Sequence, residues 1–194
     1  MKDDVRPYKQ KGDTCAIACM MMALEYFKII SKANWYDERR LYRIYSSKYM
    51  SGTPFSALAF YMAKKGLKTK IFHEYEELFV NDKKVINQDD FKYAVDEYKE
   101  YLKYAKDNGA IVINGMDINI DTLKQELKDD SLVILAGEIN NTYHAILLID
   151  YDDNSFIVCD PLYKAKQNRT FSEIENFMNT SIGKWFISVG RKIK

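Results

Sequence analysis

Three cysteines and two histidines among 194 residues leave a short set of side chains for any chemistry that runs through a thiol and an imidazole. Cys15 opens a run from Cys15 to Ile30 that is rich in Ala, Met and Leu and free of Gly and Pro. Asp13 and Thr14, just before it, are N-cap residue types. The pattern predicts a buried central helix with Cys15 in its first turn. At such a position unpaired backbone N–H groups and the helix dipole favour negative charge, and a thiol attacks carbonyls only as thiolate. Cys19, one turn deeper, reads as a small buried apolar side chain.

A thiol nucleophile needs a base, and the candidates are His73 and His144. His73 precedes the acidic stretch Glu74-Tyr75-Glu76-Glu77 and reads as part of a solvated surface segment. His144 opens the apolar run Ala145 to Ile149, which places its ring at the rim of a sheet. The chain then turns through Asp152-Asp153-Asn154. In a hairpin centred near Asp152, His144 and Asp160 face each other, with Cβ atoms roughly 4.5–5.5 Å apart. The Asp160 carboxylate then fixes the tautomer and orientation of the imidazole and leaves its other nitrogen for Cys15.

Helices precede strands along the chain. Amphipathic helices are predicted over Tyr36 to Tyr49, Pro54 to Lys65 and Phe91 to Lys106. Thr122 and Gln125 suggest a capping box for a helix ending near Lys128, and a short helix starts at Ser172. Strands are predicted over Leu67 to Phe72, Ala110 to Asn114, Leu132 to Ala136, Tyr143 to Tyr151, Ser155 to Asp160 and Trp185 to Val189. Mainly helices first and antiparallel strands afterwards indicate an α+β fold, with helices packed against one sheet. We expect one domain spanning 1–194.

Composition narrows the function classes. Hydrophobic residues make up 47 % and charged residues 29 %, as in a chain that folds throughout. The 29 Lys and Arg are interspersed with 28 acids, which leaves no electrostatic footprint for nucleic acid. No run approaches the ~20 apolar residues of a membrane span, so no membrane insertion is expected. The odd cysteine count is unlike a secreted disulfide framework and fits a reducing cytoplasm. Phosphate-binding Gly-rich loops are absent, and the three cysteines do not follow zinc-site spacing. The Tyr93, Tyr98, Tyr101 and Tyr104 group lies at helical spacings mixed with Lys and Glu, as core and solvated face rather than a base-stacking platform.

Several of these residues together resemble cysteine peptidase family 39 of the papain clan, the bacteriocin-processing, double-glycine leader peptidases and their stand-alone relatives. The resemblance rests on Gln10, Asp13-Thr14-Cys15-Ala16-Ile17-Ala18-Cys19, Tyr143-His144-Ala145 and Cys159-Asp160-Pro161, in that order. It implies a papain-like fold in which Cys15 attacks, His144 acts as base and then acid, and Asp160 orients His144. It also implies that the Gln10 side-chain amide joins the backbone N–H of Cys15 in an oxyanion hole. Two positions depart from the family pattern: Ala16 stands where Gly usually follows the nucleophile, and the Gln usually lies one residue further upstream. The segment between Cys15 and His144 is longer than in leader peptidases, which suggests a helical insertion around 74–109.

The expected activity is cleavage of a peptide bond, with a leader-peptide junction as one candidate, through a thioester acyl-enzyme and without a cofactor. A peptide or protein substrate is the expected partner, and coupling to export would take a separate exporter. Two rivals share the same residues. One is an acyltransferase or amidase acting on a modified substrate, because amines also resolve thioesters. The other is a degenerate module that only binds a peptide.

Overall fold

The computed structural model describes residues 2, 4–75, 90–128, 130–140, 142–180 and 183–192. The 76–89 part of the anticipated insertion, with Glu76 and Glu77, lies outside them. Six helices and seven strands are formed among the described residues: α1 (Cys15–Tyr26), α2 (Trp35–Tyr45), α3 (Phe55–Lys64), β1 (Lys68–His73), α4 (Phe91–Asp107), β2 (Ile111–Ile113), α5 (Ile120–Leu127), β3 (Leu132–Ile139), β4 (Thr142–Tyr151), β5 (Ser155–Cys159), β6 (Lys166–Thr170), α6 (Phe171–Met178) and β7 (Trp185–Gly190).

The fold is α+β. The strands form one sheet in the order β2-β1-β7-β3-β4-β5-β6. Every pairing is antiparallel except β1 with β2, so the sheet is mixed at that edge. Alternation along β4 separates two cores, as the period-2 pleat requires. Ala145, Leu147 and Ile149 face the core shared with α1 and α3, while Ile146 and Leu148 face the core shared with α5 and α6. Helices thus cover both faces of the sheet.

Helix α1 is apolar nearly all round, and Ala16 to Glu25 are all buried. It ends four residues before the expected Ile30. Lys28 takes a left-handed conformation (φ 64°), and the N–H groups of Lys28 and Ile29 bond back to the carbonyls of Glu25 and Leu24 at 3.0 and 2.9 Å. This closes the helix without the glycine that usually marks such an end. The buried Glu25 accepts from the Ala33 N–H at 2.7 Å and pins the turn that follows.

Helix α2 also stops early, because Ser46 is extended. The freed residues form a turn in which Gly52 takes φ 87° and its carbonyl accepts from the Ser47 N–H at 2.9 Å. The start of α5 is capped by Asn119, whose side chain accepts from the Thr122 N–H at 3.1 Å, so Thr122 is inside the helix and is not its cap. A capping box exists instead at Thr170 and Glu173, at the head of α6.

Candidate active site

Cys15 lies at the N-terminus of α1, half-buried, on the wall of a cleft of about 530 Å³. His144, near the start of β4, lines the same cleft. Its Nε2 meets Asp160 Oδ1 at 2.8 Å, and the ring also forms a side-chain hydrogen bond with Cys15. The helix start and the sheet rim therefore bring together the thiol, the imidazole and the carboxylate.

The route to the His144–Asp160 contact differs from the expected one. The β4–β5 turn is centred between Asp153 and Asn154, where the Asp152 carboxylate accepts from the N–H groups of Asn154 and Ser155 at 2.9 and 2.7 Å. An irregularity between Leu148 and Asp150 then shifts the register, and Leu147 faces Cys159. Extended by one residue, that register sets Asp160 opposite Ile146 and diagonal to His144. An offset of two residues keeps a side chain on the same face of a pleated sheet, and a diagonal neighbour is still within reach.

Asp160 is 1 % exposed and uses both carboxylate oxygens. Oδ1 accepts from His144 and from the Leu162 N–H at 2.9 Å, and Oδ2 is paired with Arg169. Burial works against ionisation, but the hydrogen bonds from His144 and Leu162 and the charges of His144 and Arg169 outweigh it and hold the carboxyl below its ordinary range. For His144 burial again opposes the charged form. The hydrogen bonds to Asp160 and Cys15 and the charges of both outweigh it, and the imidazole is raised to about 9. An imidazolium is therefore the resting form at neutral pH. The ring also packs edge-on against Phe177 of α6, with centroids 6.4 Å apart.

Gln10 lines the cleft too. Its backbone N–H donates to the Pro161 carbonyl at 2.8 Å, which ties the N-terminal strap to the residue after Asp160. Its side-chain Nε2 donates to the Gly12 carbonyl at 2.6 Å, while Oε1 is buried without a partner. Thr14 is the N-cap of α1 but makes no side-chain cap, because its hydroxyl bonds to Glu38. The N–H groups of Cys15, Ala16 and Ile17 precede that of Ala18, which makes the first intrahelical bond, to the Thr14 carbonyl at 2.9 Å, so the first turn carries donors without an intrahelical acceptor, and Cys15 and Ala16 line the cleft.

The rest of the cleft wall is largely apolar. Met50 and Pro54 come from the turn before α3, Phe55 from its first residue, Ala136 and Ile139 from β3, and Trp185 from the start of β7. The shorter α2 matters here, since the turn it releases carries part of that wall.

His73 does not lie on a solvated segment. It is 1 % exposed and pairs with Trp185 across β1 and β7. Its Nδ1 meets Asn114 Oδ1 at 2.9 Å and its Nε2 meets the Tyr98 hydroxyl at 2.7 Å. Burial lowers it to about 4 despite the Asn114 bond, so the ring is neutral and spent on structure. Cys19 donates to the Ala145 carbonyl at 3.4 Å and is fully buried, like Cys159. Burial raises both thiols, Cys159 to about 11. Among the described residues no group of three or more His, Cys, Asp or Glu side chains is placed to hold a metal ion, and no helix is long and apolar enough to cross a membrane.

Two residues at the site had no sequence signal singled out for them. Arg169 sits on β6, a polar edge strand without apolar alternation. Glu38 is one of several charges on an amphipathic helix and is nevertheless 1 % exposed. The signal available for Glu38 was its position four residues after the Asn34 N-cap and three before the buried Leu41, on one helix face.

Comparison with known proteins adds the family. Among solved structures, the chain is similar to a C39-like protein from Bacillus anthracis, with 15 % identity, 98 % of this chain and 96 % of that one covered, and a TM-score of 0.46. No curated protein matches the chain. The model of the Peptidase_C39 like family matches residues 2–190, nearly the whole chain with Cys15, His144 and Asp160 inside it, and the chain belongs to that family.

Proposed function

We propose that the protein is a cysteine peptidase that cleaves a peptide bond through a thioester acyl-enzyme. The observation that carries this reading is the chain of contacts from Cys15 through His144 to Asp160 at the wall of one cleft.

In the first half-reaction the Cys15 sulfur attacks the scissile carbonyl carbon. A C–S bond forms, and the carbonyl π electrons move to oxygen. The oxyanion is met by the backbone N–H of Cys15 and by the amide of Gln10, which exchanges its Gly12 acceptor for the new charge. His144 gives its Nδ1 proton to the amide nitrogen, the C–N bond breaks and the amine leaves. In the second half-reaction His144 takes a proton from water, the resulting hydroxide adds to the thioester, and the tetrahedral adduct expels the Cys15 thiolate with release of the acid. Asp160 stays ionised throughout and holds the ring.

A peptide occupying the cleft lies against Met50, Phe55, Ile139 and Trp185, so we assign it apolar residues near the cleaved bond. A leader-peptide junction is one substrate of that description, and a separate exporter would be its partner.

The reading is tested by adding a peptidyl chloromethyl ketone and mapping the adduct by mass spectrometry. The expected result is one adduct, on Cys15, that is absent in Cys15→Ser and strongly slowed in His144→Ala. Labelling at Cys19 or Cys159 instead, or none, overturns it.

A further inference from the structure

Glu38 belongs to α2, yet among the described residues every hydrogen bond of its side chain lies on the strap that leads into the nucleophile. Its Oε2 accepts from the Tyr8 hydroxyl at 2.6 Å, and its Oε1 from the Lys11 N–H at 3.0 Å and from the Thr14 hydroxyl. Those three donors flank Gln10 and end at the residue before Cys15. A carboxylate this well buried is costly unless each oxygen is satisfied, and here the satisfaction comes entirely from residues 8–14.

The Thr14 contact has a second consequence. A threonine at an N-cap ordinarily accepts from the second or third N–H of its helix. Here the hydroxyl is turned towards Glu38 and α1 has no side-chain cap. The donors that Thr14 would consume, the N–H groups of Ala16 and Ile17, are left without that acceptor, and Ala16 lines the cleft beside Cys15. The strap is fixed at both ends, by Glu38 on the α2 side and by the Gln10–Pro161 bond beside Asp160.

We infer that Glu38 is a positioning residue for the reaction at Cys15: by holding Tyr8, Lys11 and Thr14 it sets the strap that carries Gln10 and keeps the first turn of α1 free to receive the oxyanion. The inference rests on the peptidase reading above and deepens it. Its role is to shape the site for negative charge on oxygen, not to activate the sulfur.

That distinction gives the test. Iodoacetamide alkylates sulfur without forming an oxyanion, whereas a peptidyl aldehyde such as acetyl-Gly-glycinal forms a hemithioacetal whose oxygen occupies the same place as in the tetrahedral intermediate. Both probes are compared on the full chain, on Glu38→Gln and on Thr14→Val, with circular dichroism to confirm folding and Thr14→Ser as the conservative control. The parent is expected to bind the aldehyde at Cys15. Glu38→Gln and Thr14→Val are expected to weaken that binding by about tenfold or more, the loss typical of a disturbed oxyanion site, while iodoacetamide alkylation changes by less than about twofold. Thr14→Ser is expected to keep the parent affinity.

Equal loss with both probes would mean that Glu38 merely holds the fold, and unchanged aldehyde affinity in both folded variants would mean that it does not position the site; either overturns the inference. If Glu38→Gln fails to fold, Thr14→Val alone decides it. A parent that is alkylated at Cys15 but ignores the aldehyde also overturns it, whereas a parent in which Cys15 reacts with neither probe brings down the peptidase reading itself.

Discussion

Arg169 and His144 share one carboxylate, each bonded to a different oxygen of Asp160. The charge that orients the imidazole is thereby divided between two cations, one from edge strand β6 and one from β4. This division sets how far pH can move the site in either direction.

Replacing Asp160 with Asn removes the carboxylate whose hydrogen bond, after the opposing burial, most favours the His144 imidazolium. The parent is expected to lose activity as pH rises through about 9, where His144 gives up the proton it must donate to the leaving amine. In Asp160→Asn that alkaline limb shifts downward towards the ordinary histidine range, and kcat/KM at neutral pH falls by about 10²- to 10⁴-fold, as when the acid of a triad is neutralised. A pH–rate profile measured with a peptide substrate checks both. An unmoved limb would mean that the carboxylate does not govern the ring. The same raised value links to stability: it contributes fully below about 6.5 and is lost as pH rises through about 9.

Arg169→Met should act on the other limb. The guanidinium helps hold Asp160 ionised, so without it the carboxyl takes up a proton at higher pH and activity is lost sooner on acidification. At neutral pH the expected loss is about tenfold or less, since His144 and the Leu162 N–H still hold Oδ1. Arg169→Lys should recover part of it. The acid limb of the same profile decides the matter.

His73 predicts a pH dependence unrelated to catalysis. Its folded value is depressed from 6.5 to about 4, so the folded state binds fewer protons than the unfolded chain between those values. Its contribution is fully present above about 6.5 and shrinks as pH falls towards 4, amounting to about 3 kcal/mol over the window. Urea unfolding at pH 7 and pH 5 should show about 2 kcal/mol of this loss in the parent, the part that falls above pH 5. In His73→Phe the slope between the two pH values should flatten, at lower overall stability because Tyr98 and Asn114 lose their partner.

Gly137 pairs with His144 across β3 and β4, and a Cβ built there would collide with the backbone oxygen and ring of Phe177. Phe177 in turn packs against the His144 ring. Gly137→Ala is therefore expected to cost about 1–3 kcal/mol, typical of overpacking, and to lower the rate of Cys15 labelling as the ring is displaced. Thermal unfolding and labelling kinetics, measured side by side, should both change. A stable variant with normal labelling would show that α6 yields without disturbing the ring.

The residues of the site were legible where local chemistry marks them. N-cap types before an apolar helix located Cys15, and an apolar run bounded by a polar turn located His144 and Asp160. The register between the two strands was not, because an asymmetric turn and a bulge leave little trace in composition; an even offset rescued the contact. His73 was misplaced because acidic neighbours suggested solvent, while the topology sets its strand between β2 and β7. Strand β6 and its Arg169 were missed because an edge strand need not alternate. Glu38 was missed for the opposite reason, since charged residues on an amphipathic helix usually point outward and this one is buried by its own hydrogen bonds.

Strand β7, the last in sequence among the described strands, lies inside the sheet between β1 and β3, and its first residue, Trp185, is part of the cleft wall. On the ribosome, β1 and β3 therefore wait without a central neighbour until Gly190 has cleared the exit tunnel. The nucleophile, its base and its acid are all synthesised earlier, but the cleft that would present a substrate to them is not complete until then. Translation order thus delays a complete cleft until β7 has been made, well after the nucleophile, its base and its acid.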